Sequence, residues 1–316
     1  MSSSDSILAA LAAVQHGIFT LQQAREAGLS PRQIARRLED GRWTKVHEFA
    51  YRFAGAPTTW EGTLLAACWA GGIRAVASHR SAARLWNLPG GRDDLAEITC
   101  PRWRRARHDG IIVHETKRFD ACDRVVVRSI PSASAERALL GLAGVCRPSV
   151  VELALENGLR RELFTIESLQ AIVRRLGRRG RNGVGVLRAL IGERDPHAAP
   201  PDSEMETRVI QMLRRNGLPR PVTQLDIFDG SRFVARVDFA YPQWMVCMEY
   251  ESYQEHTGNL ALERDNPRRN ALVSLGWKPI GITPKDIRSG GLRVAQQILN
   301  VSRRSRRISK PFGVDS

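Results

Sequence analysis

The sequence predicts a multi-domain α/β protein. Three observations point there. The chain has 316 residues, enough for two domains at roughly 150 residues each. Helical and strand-like periodicities both occur in its N-terminal, middle and C-terminal parts. The stretch Asp195-Pro196-His197-Ala198-Ala199-Pro200-Pro201 is a linker by composition and separates the last third from the rest. The boundaries expected are a winged helix-turn-helix at 1–55, a mixed α/β and helical region at 56–195, a linker at 196–202, an α/β domain at 203–302 and a basic tail at 303–316.

Composition narrows the function before any motif is read. The net charge is +15 and the sequence pI about 10.6. Only five cations are lysine and the other 43 are arginine; GC-rich coding explains that choice but not the surplus of fifteen. A field of that sign attracts polyanions, with nucleic acid as the default partner. The five cysteines are scattered, odd in number and without a C-x-x-C pair, which argues for a reducing cytosol and against a zinc module. Met1–Asp5 lacks a basic n-region, and the most apolar window, Leu64–Ile73, is too short for a bilayer. The expectation is a cytoplasmic protein with no membrane partner.

The first helix is expected over Ser6–His16, with Ile7, Leu8, Leu11 and Val14 on one face. A short second helix, Leu21–Ala27, ends at Gly28. Ser30-Pro31 starts a third that runs to Asp40, with proline at the first helical position. Its outer face carries Arg32, Gln33, Arg36 and Arg37; Ile34 and Leu38 face inward. Two short strands, Trp43–Val46 and Phe49–Phe53, follow. Three helices and a ribbon in that order predict a winged helix whose third helix enters the major groove. Arg32, Gln33 and Arg36 are then candidates for base edges and phosphates, and a protein adaptor is the other reading of the module.

In the middle region, strands are expected at Glu97–Thr99, Ile111–Glu115 and Arg124–Arg128, and helices at Ser132–Gly141, Ser149–Leu159, Ile166–Leu176 and Val184–Ile191. His79-Arg80 reads either as a functional pair or as a helix start capped by Ser78. The runs Arg102–Arg107 and Arg174–Arg181 suit phosphates, a solvated hairpin tip or a helix C-terminus.

After the linker, Ser203–Arg215 reads as a helix with Ser203 at its N-cap. A strand near Thr223–Ile227 and two more, Phe233–Phe239 and Trp244–Glu251, follow; Tyr241-Pro242 turns the last pair. Alternation puts Glu249 and Glu251 on one face, and antiparallel pairing brings Asp238 near. Carboxylates gathered among apolar runs call for a cation, and hard oxygen ligands suit Mg²⁺ or Mn²⁺. Such an ion activates water and stabilises charge on a phosphodiester.

Two stretches resemble known families. Gly17-Ile18-Phe19-Thr20, Ala24-x-x-Ala27-Gly28-Leu29-Ser30, Gly41-x-Trp43 with Val46 and Tyr51, Ser78-His79-Arg80-Ser81-Ala82-Ala83-x-Leu85 and Leu88-Pro89 resemble the N-terminal part of AbiEi-family antitoxins of type IV toxin–antitoxin systems. Ser203-x-x-Glu206, Pro219-x-Pro221-x-x-Gln224, Arg236-Val237-Asp238-Phe239, Glu249-Tyr250-Glu251, His256, Arg264-Asp265, Arg269 and Leu275-Gly276-Trp277 resemble the PD-(D/E)XK nucleases, in the branch of very-short-patch repair endonucleases. That second resemblance implies a restriction-endonuclease-like α/β/α core. It implies a metal pair at Asp238 and Glu249, with Glu251 assisting and Glu206 orienting water. His256 would serve as acid/base, and Arg264 and Arg269 would meet phosphates. A capping box also accounts for Glu206, and solvation for His256. The position that carries Lys in the superfamily and Asp in this branch is Glu251. Two functions follow: a metal-dependent endonuclease acting on DNA (or RNA), or a non-catalytic DNA-binding regulator or antitoxin with a cognate toxin as partner.

Overall fold

The computed structural model describes residues 3–47, 49–103, 110–116, 118–177, 182–194, 200–251 and 260–308, with no side-chain description at 3, 260–266 and 304–308. Contacts cluster into two compact units, Met1–Pro200 and Pro201–Ser316.

The first unit begins with α1 (Ser3–Val14), β1 (Ile18–Thr20), α2 (Leu21–Glu26), α3 (Pro31–Glu39), β2 (Trp43–His47) and β3 (Ala50–Phe53). Capping boxes at Thr20/Gln23 and Ser30/Gln33 start α2 and α3. The strands form an antiparallel sheet in the order β1-β3-β2, one strand more than periodicity suggested. Phe19, Trp43, Tyr51 and Phe53 pack their rings 4.7–6.2 Å apart over Leu8, Ala24 and Ile34. This small aromatic core holds α3 against the sheet.

The same unit continues with α4 (Trp60–Gly71), β4 (Val76–Ala77), α5 (His79–Leu85), β5 (Ala96–Cys100), β6 (Ile111–Glu115), β7 (Arg124–Val127) and β8 (Ile130–Ala133). Four helices follow: α6 (Ala135–Val145), α7 (Pro148–Arg160), α8 (Ile166–Leu176) and α9 (Val184–Gly192). The sheet runs β6-β5-β4-β8-β7, with β4/β8 and β5/β6 parallel. Helix α4 packs its Leu64, Leu65 and Ala66–Cys68 against Ile98 and Ile130 of this sheet, while α6 to α9 bury a leucine-rich cluster with Leu88 and Phe164.

The second unit has α10 (Glu204–Arg215), β9 (Val222–Asp229), β10 (Arg232–Tyr241), β11 (Val246–Tyr250), α11 (Leu260–Ser274), β12 (Lys278–Ile282), α12 (Pro284–Arg288) and α13 (Leu292–Ile308). Its sheet is ordered β12-β11-β10-β9. Only the β11/β12 pair is parallel, and α11 makes the crossover such a pair requires. Phe239, Tyr241, Val246 and Met248 pack against α10 and α13; Val237, Ala240 and Cys247 join Leu272 of α11. The sheet is therefore covered on both faces. Helix α11 carries Pro267 within it. His256, the Arg264 side chain, Arg104–Arg107, Arg178–Arg181, residues 195–199 of the linker and the tail beyond 308 lie outside the described residues.

Candidate functional site

Three surfaces bear on function. On α3, Arg32 and Arg36 are exposed. Arg36 stands 3.6 Å from Asp40 in a solvated i, i+4 pair, which holds it only weakly. Gln33 is also exposed, but its carboxamide oxygen accepts the Ser30 N–H at 2.8 Å and so belongs to the capping box. Arg37 corrects the expectation of an outward cation. It is buried, with its guanidinium bidentate on Asp5 of α1 at 2.9 and 3.0 Å and 5.6 Å from the Trp43 ring centroid. It sits three residues after Ile34, on the inward face, where a carboxylate neutralises it. Arg37 is therefore a brace between α1 and α3.

The acids of the second unit lie on adjoining strands. Register pairs Phe239 with Met248, which makes Asp238 and Glu249 neighbours at the point where the β10/β11 ladder stops. There the Asp238 carboxylate replaces a ladder partner and accepts the Tyr250 N–H at 2.9 Å. Glu249 pairs with Arg268 of α11 at 2.7 Å. The Glu251 carboxylate lies over Gly281, so close that a Cβ there would fall 2.1 Å from its Oε1, and it acts electrostatically on Arg293. Glu206 takes the Asp202 and Ser203 donors at 3.2 and 3.3 Å around the helix start. Burial, together with the nearby Asp202 and Asp238 charges, raises its carboxyl above the usual range. Arg269 is exposed and donates to the Pro279 carbonyl at 3.4 Å.

As placed among the described residues, these acids do not converge on one cation. Among the described residues of this unit, no three acidic, histidine or cysteine side chains bring ligand atoms within 4.8 Å of one another. Asp238, Glu249 and Glu206 each already hold a protein partner. A hard cation needs several oxygens converging on one point.

Convergence occurs instead in the first unit, at His79, Glu97 and His114, whose ligand atoms do lie within 4.8 Å of one another. His79 opens α5 directly after β4; Glu97 and His114 come from the parallel neighbours β5 and β6. The rings of His79 and His114 stack with centroids 3.5 Å apart and planes 21° from parallel. Ser78 makes no side-chain cap for α5; its hydroxyl lies 2.9 Å from His79 Nδ1, which corrects the capped-start reading. Glu97 is buried and receives the Arg80 backbone N–H and guanidinium, each at 2.9 Å. Burial works against its charge, yet the facing His114 imidazole and the two Arg80 hydrogen bonds prevail and hold its carboxyl at about 2. Burial, then the neighbouring His114, pushes His79 down to about 3. The histidines line a cavity of about 360 Å³ with Thr99, Thr116, Arg137 and Asn182. Sequence reading singled out His79 and Arg80 alone. The available signal was a glutamate and a histidine inside the apolar runs Ala96–Cys100 and Ile111–Glu115.

Two proteins of Mycobacterium tuberculosis, the uncharacterized proteins MT2308 (strain CDC 1551 / Oshkosh) and Rv2248 (strain ATCC 25618 / H37Rv), are similar to part of this chain. Each is 35% identical over 120 residues, 38% of this chain and 43% of the relative's length. The crystal structure of the RV2827C protein from the same species shares 17% identity and a TM-score of 0.39 over 63% of this chain and 83% of that one. Among the described residues, no helix is long and apolar enough to cross a membrane. Residues 6–47, from within α1 to the end of β2, match the family described as "Transcriptional regulator, AbiEi antitoxin".

Proposed function

We propose that this protein is a DNA-binding regulator of the antitoxin type, which reads DNA through its N-terminal helices and carries a nuclease-like second unit that does not cut. The observation that carries the reading is the coincidence of the regulator-family match at 6–47 with the helix that exposes Arg32 and Arg36. In a winged helix, α3 is the element that enters the major groove, and exposed arginines there serve phosphates and guanine edges. The surplus of fifteen positive charges supplies affinity that does not depend on sequence. Five free cysteines fit a reducing cytoplasm, and a cognate toxin is the protein partner the family implies.

Fluorescence anisotropy with a labelled duplex from upstream of the protein's own gene tests this. Specific binding should exceed that to a scrambled duplex by at least tenfold and fall steeply with salt. Arg32→Ala/Arg36→Ala should weaken it at least tenfold; an unchanged affinity overturns the assignment to α3. Supercoiled plasmid incubated with Mg²⁺ or Mn²⁺ should stay intact. Nicking by wild type that disappears in Asp238→Ala/Glu249→Ala would instead establish the endonuclease, and the same pair of assays on an RNA substrate separates the two nucleic acids.

A further inference from the structure

We propose that His79, Glu97 and His114 form a binding site for a late first-row divalent metal ion of the Zn²⁺ class. The donor set decides the metal: two imidazoles and one carboxylate suit Zn²⁺ or its neighbours, not Mg²⁺. Four features of the site exceed what a buried ion pair needs. Arg80 and Glu97 complete each other, and neither requires a histidine.

The first feature is an orphan. His114 Nε2 is buried without a hydrogen-bond partner, 3.8 Å from Glu97 Oε2. That gap is too long for a hydrogen bond, but it suits two donors that share one ion at about 2.0–2.2 Å each. The second is backbone strain. His79 has φ +49°, a left-handed conformation that non-glycine residues adopt at a cost and mostly where function fixes them. The third is what holds it there. Ser78 gives up helix capping to hold Nδ1, which leaves Nε2 as the ligand atom, and an oriented outer partner of this kind is the usual companion of a ligating histidine. The fourth is clearance. A Cβ on Gly141 of α6 would fall 3.1 Å from His79 Cα and 3.2 Å from its Cγ, so glycine there lets the ring and its backbone approach α6.

The site also has an entry and room to act. Its cavity of about 360 Å³ leaves the ion at least one coordination position beyond the three protein ligands. Ligation by both rings opens their 21° stack through χ2, a torsion that is soft for histidine. Arg80 does not compete for the ion, because its guanidinium runs from Glu97 Oε1 to the Val145 carbonyl.

The experiment uses the full-length chain, stripped with chelator and titrated with Zn²⁺ by calorimetry and with Co²⁺ by visible absorbance. One equivalent of Zn²⁺ should bind, and Co²⁺ should give a d–d band. His79→Asn keeps a residue that tolerates the left-handed backbone, and His114→Phe keeps the stacked ring. Each should lower Zn²⁺ affinity at least tenfold, whereas His256→Ala should not. Long-range ¹H–¹⁵N spectra of the wild type give a readout that needs no variant: nitrogens of His79 and His114 should shift on Zn²⁺ addition. Absence of binding, or saturation with both imidazoles unmoved, overturns the site. So does unchanged affinity in both variants.

Discussion

The two sheets of the larger folds assemble acidic groups in opposite ways. On β10 and β11, Asp238 and Glu249 are neighbours by register, yet one accepts a backbone amide and the other an arginine from α11. On β5 and β6, Glu97 and His114 are not opposite each other, since Glu97 pairs with Ile112 and Thr99 with His114. They are diagonal neighbours on adjoining parallel strands, and His79 joins them from a third element. Adjacency along a ladder fixes backbone positions, whereas convergence of side-chain tips depends on what else competes for them. In the second unit each acid is met by its own donor; in the first, three ligand atoms lie within 4.8 Å of one another.

If that contrast is sound, removing an acid should matter far more in the first unit. Glu97→Ala leaves Arg80 without its carboxylate beside a buried backbone and should destabilise the unit by about 3 kcal/mol. Urea unfolding followed by circular dichroism measures it. A loss under about 1 kcal/mol would show that the pair is dispensable and that the site is no more organised than the acids of the second unit.

A pH series on metal-free protein sharpens the same point. His79 is held at about 3 in the fold, against 6.5 for a free imidazole. Below 6.5 the unfolded chain therefore takes a proton that the folded one refuses. Stability should be complete above 6.5 and fall by about 1.4 kcal/mol per pH unit as pH drops toward 3. Glu97, held at about 2 against 4.5, adds a further loss between those two values. Both act in the same direction, so acid weakens this unit. His79→Asn should flatten the slope between pH 6.5 and 5. An equal slope in that variant assigns the loss elsewhere.

How much of this was legible follows from what each feature depends on. Capped helices depend on neighbours in sequence: Ser30-Pro31 and Ser203 start α3 and α10 where the sequence predicts. The strands β1 and β4 have three and two residues and form because strands distant in sequence pair with them, so no local periodicity announces them. The burial of Arg37 is hidden from local sequence for a similar reason. Its position faces inward, and the Asp5 that makes burial tolerable lies 32 residues away. The acids of the second unit were legible as a set, but the competition of Arg268 and the Tyr250 amide was not. The His79 centre joins residues 18 and 17 apart in sequence, and only the β4-β5-β6 order brings them together.

In the second unit, breaking the Arg268–Glu249 pair should have a small effect. Both side chains are 41% exposed, so solvent already screens them. Glu249→Ala should change stability by under about 1 kcal/mol, whereas nearby Leu272→Ala, in the core of the same helix, should cost about 3 kcal/mol. Thermal unfolding of the two variants side by side gives the ratio. A loss from Glu249→Ala that approaches the Leu272→Ala loss would make Glu249 a structural anchor.

Gly281→Ala should have the smallest effect, although its geometry looks the worst. A Cβ at Gly281 would lie 2.1 Å from Glu251 Oε1 and 2.6 Å from its Cδ, an overlap that something must relieve. The atoms in the way are the far end of an exposed side chain, not backbone. Glu251 can therefore swing into water and give up only its solvent-screened attraction to Arg293. Alanine also loses less chain entropy than glycine on entering β12, which offsets about 0.5–1 kcal/mol. The net change should lie within about 0.5 kcal/mol of zero, read as an unchanged urea midpoint. A loss above about 1 kcal/mol would mean that Glu251 is held over Gly281 by an interaction stronger than screening allows. The second unit would then contain an organised acid after all, and the contrast with Glu97 would narrow to a difference of degree.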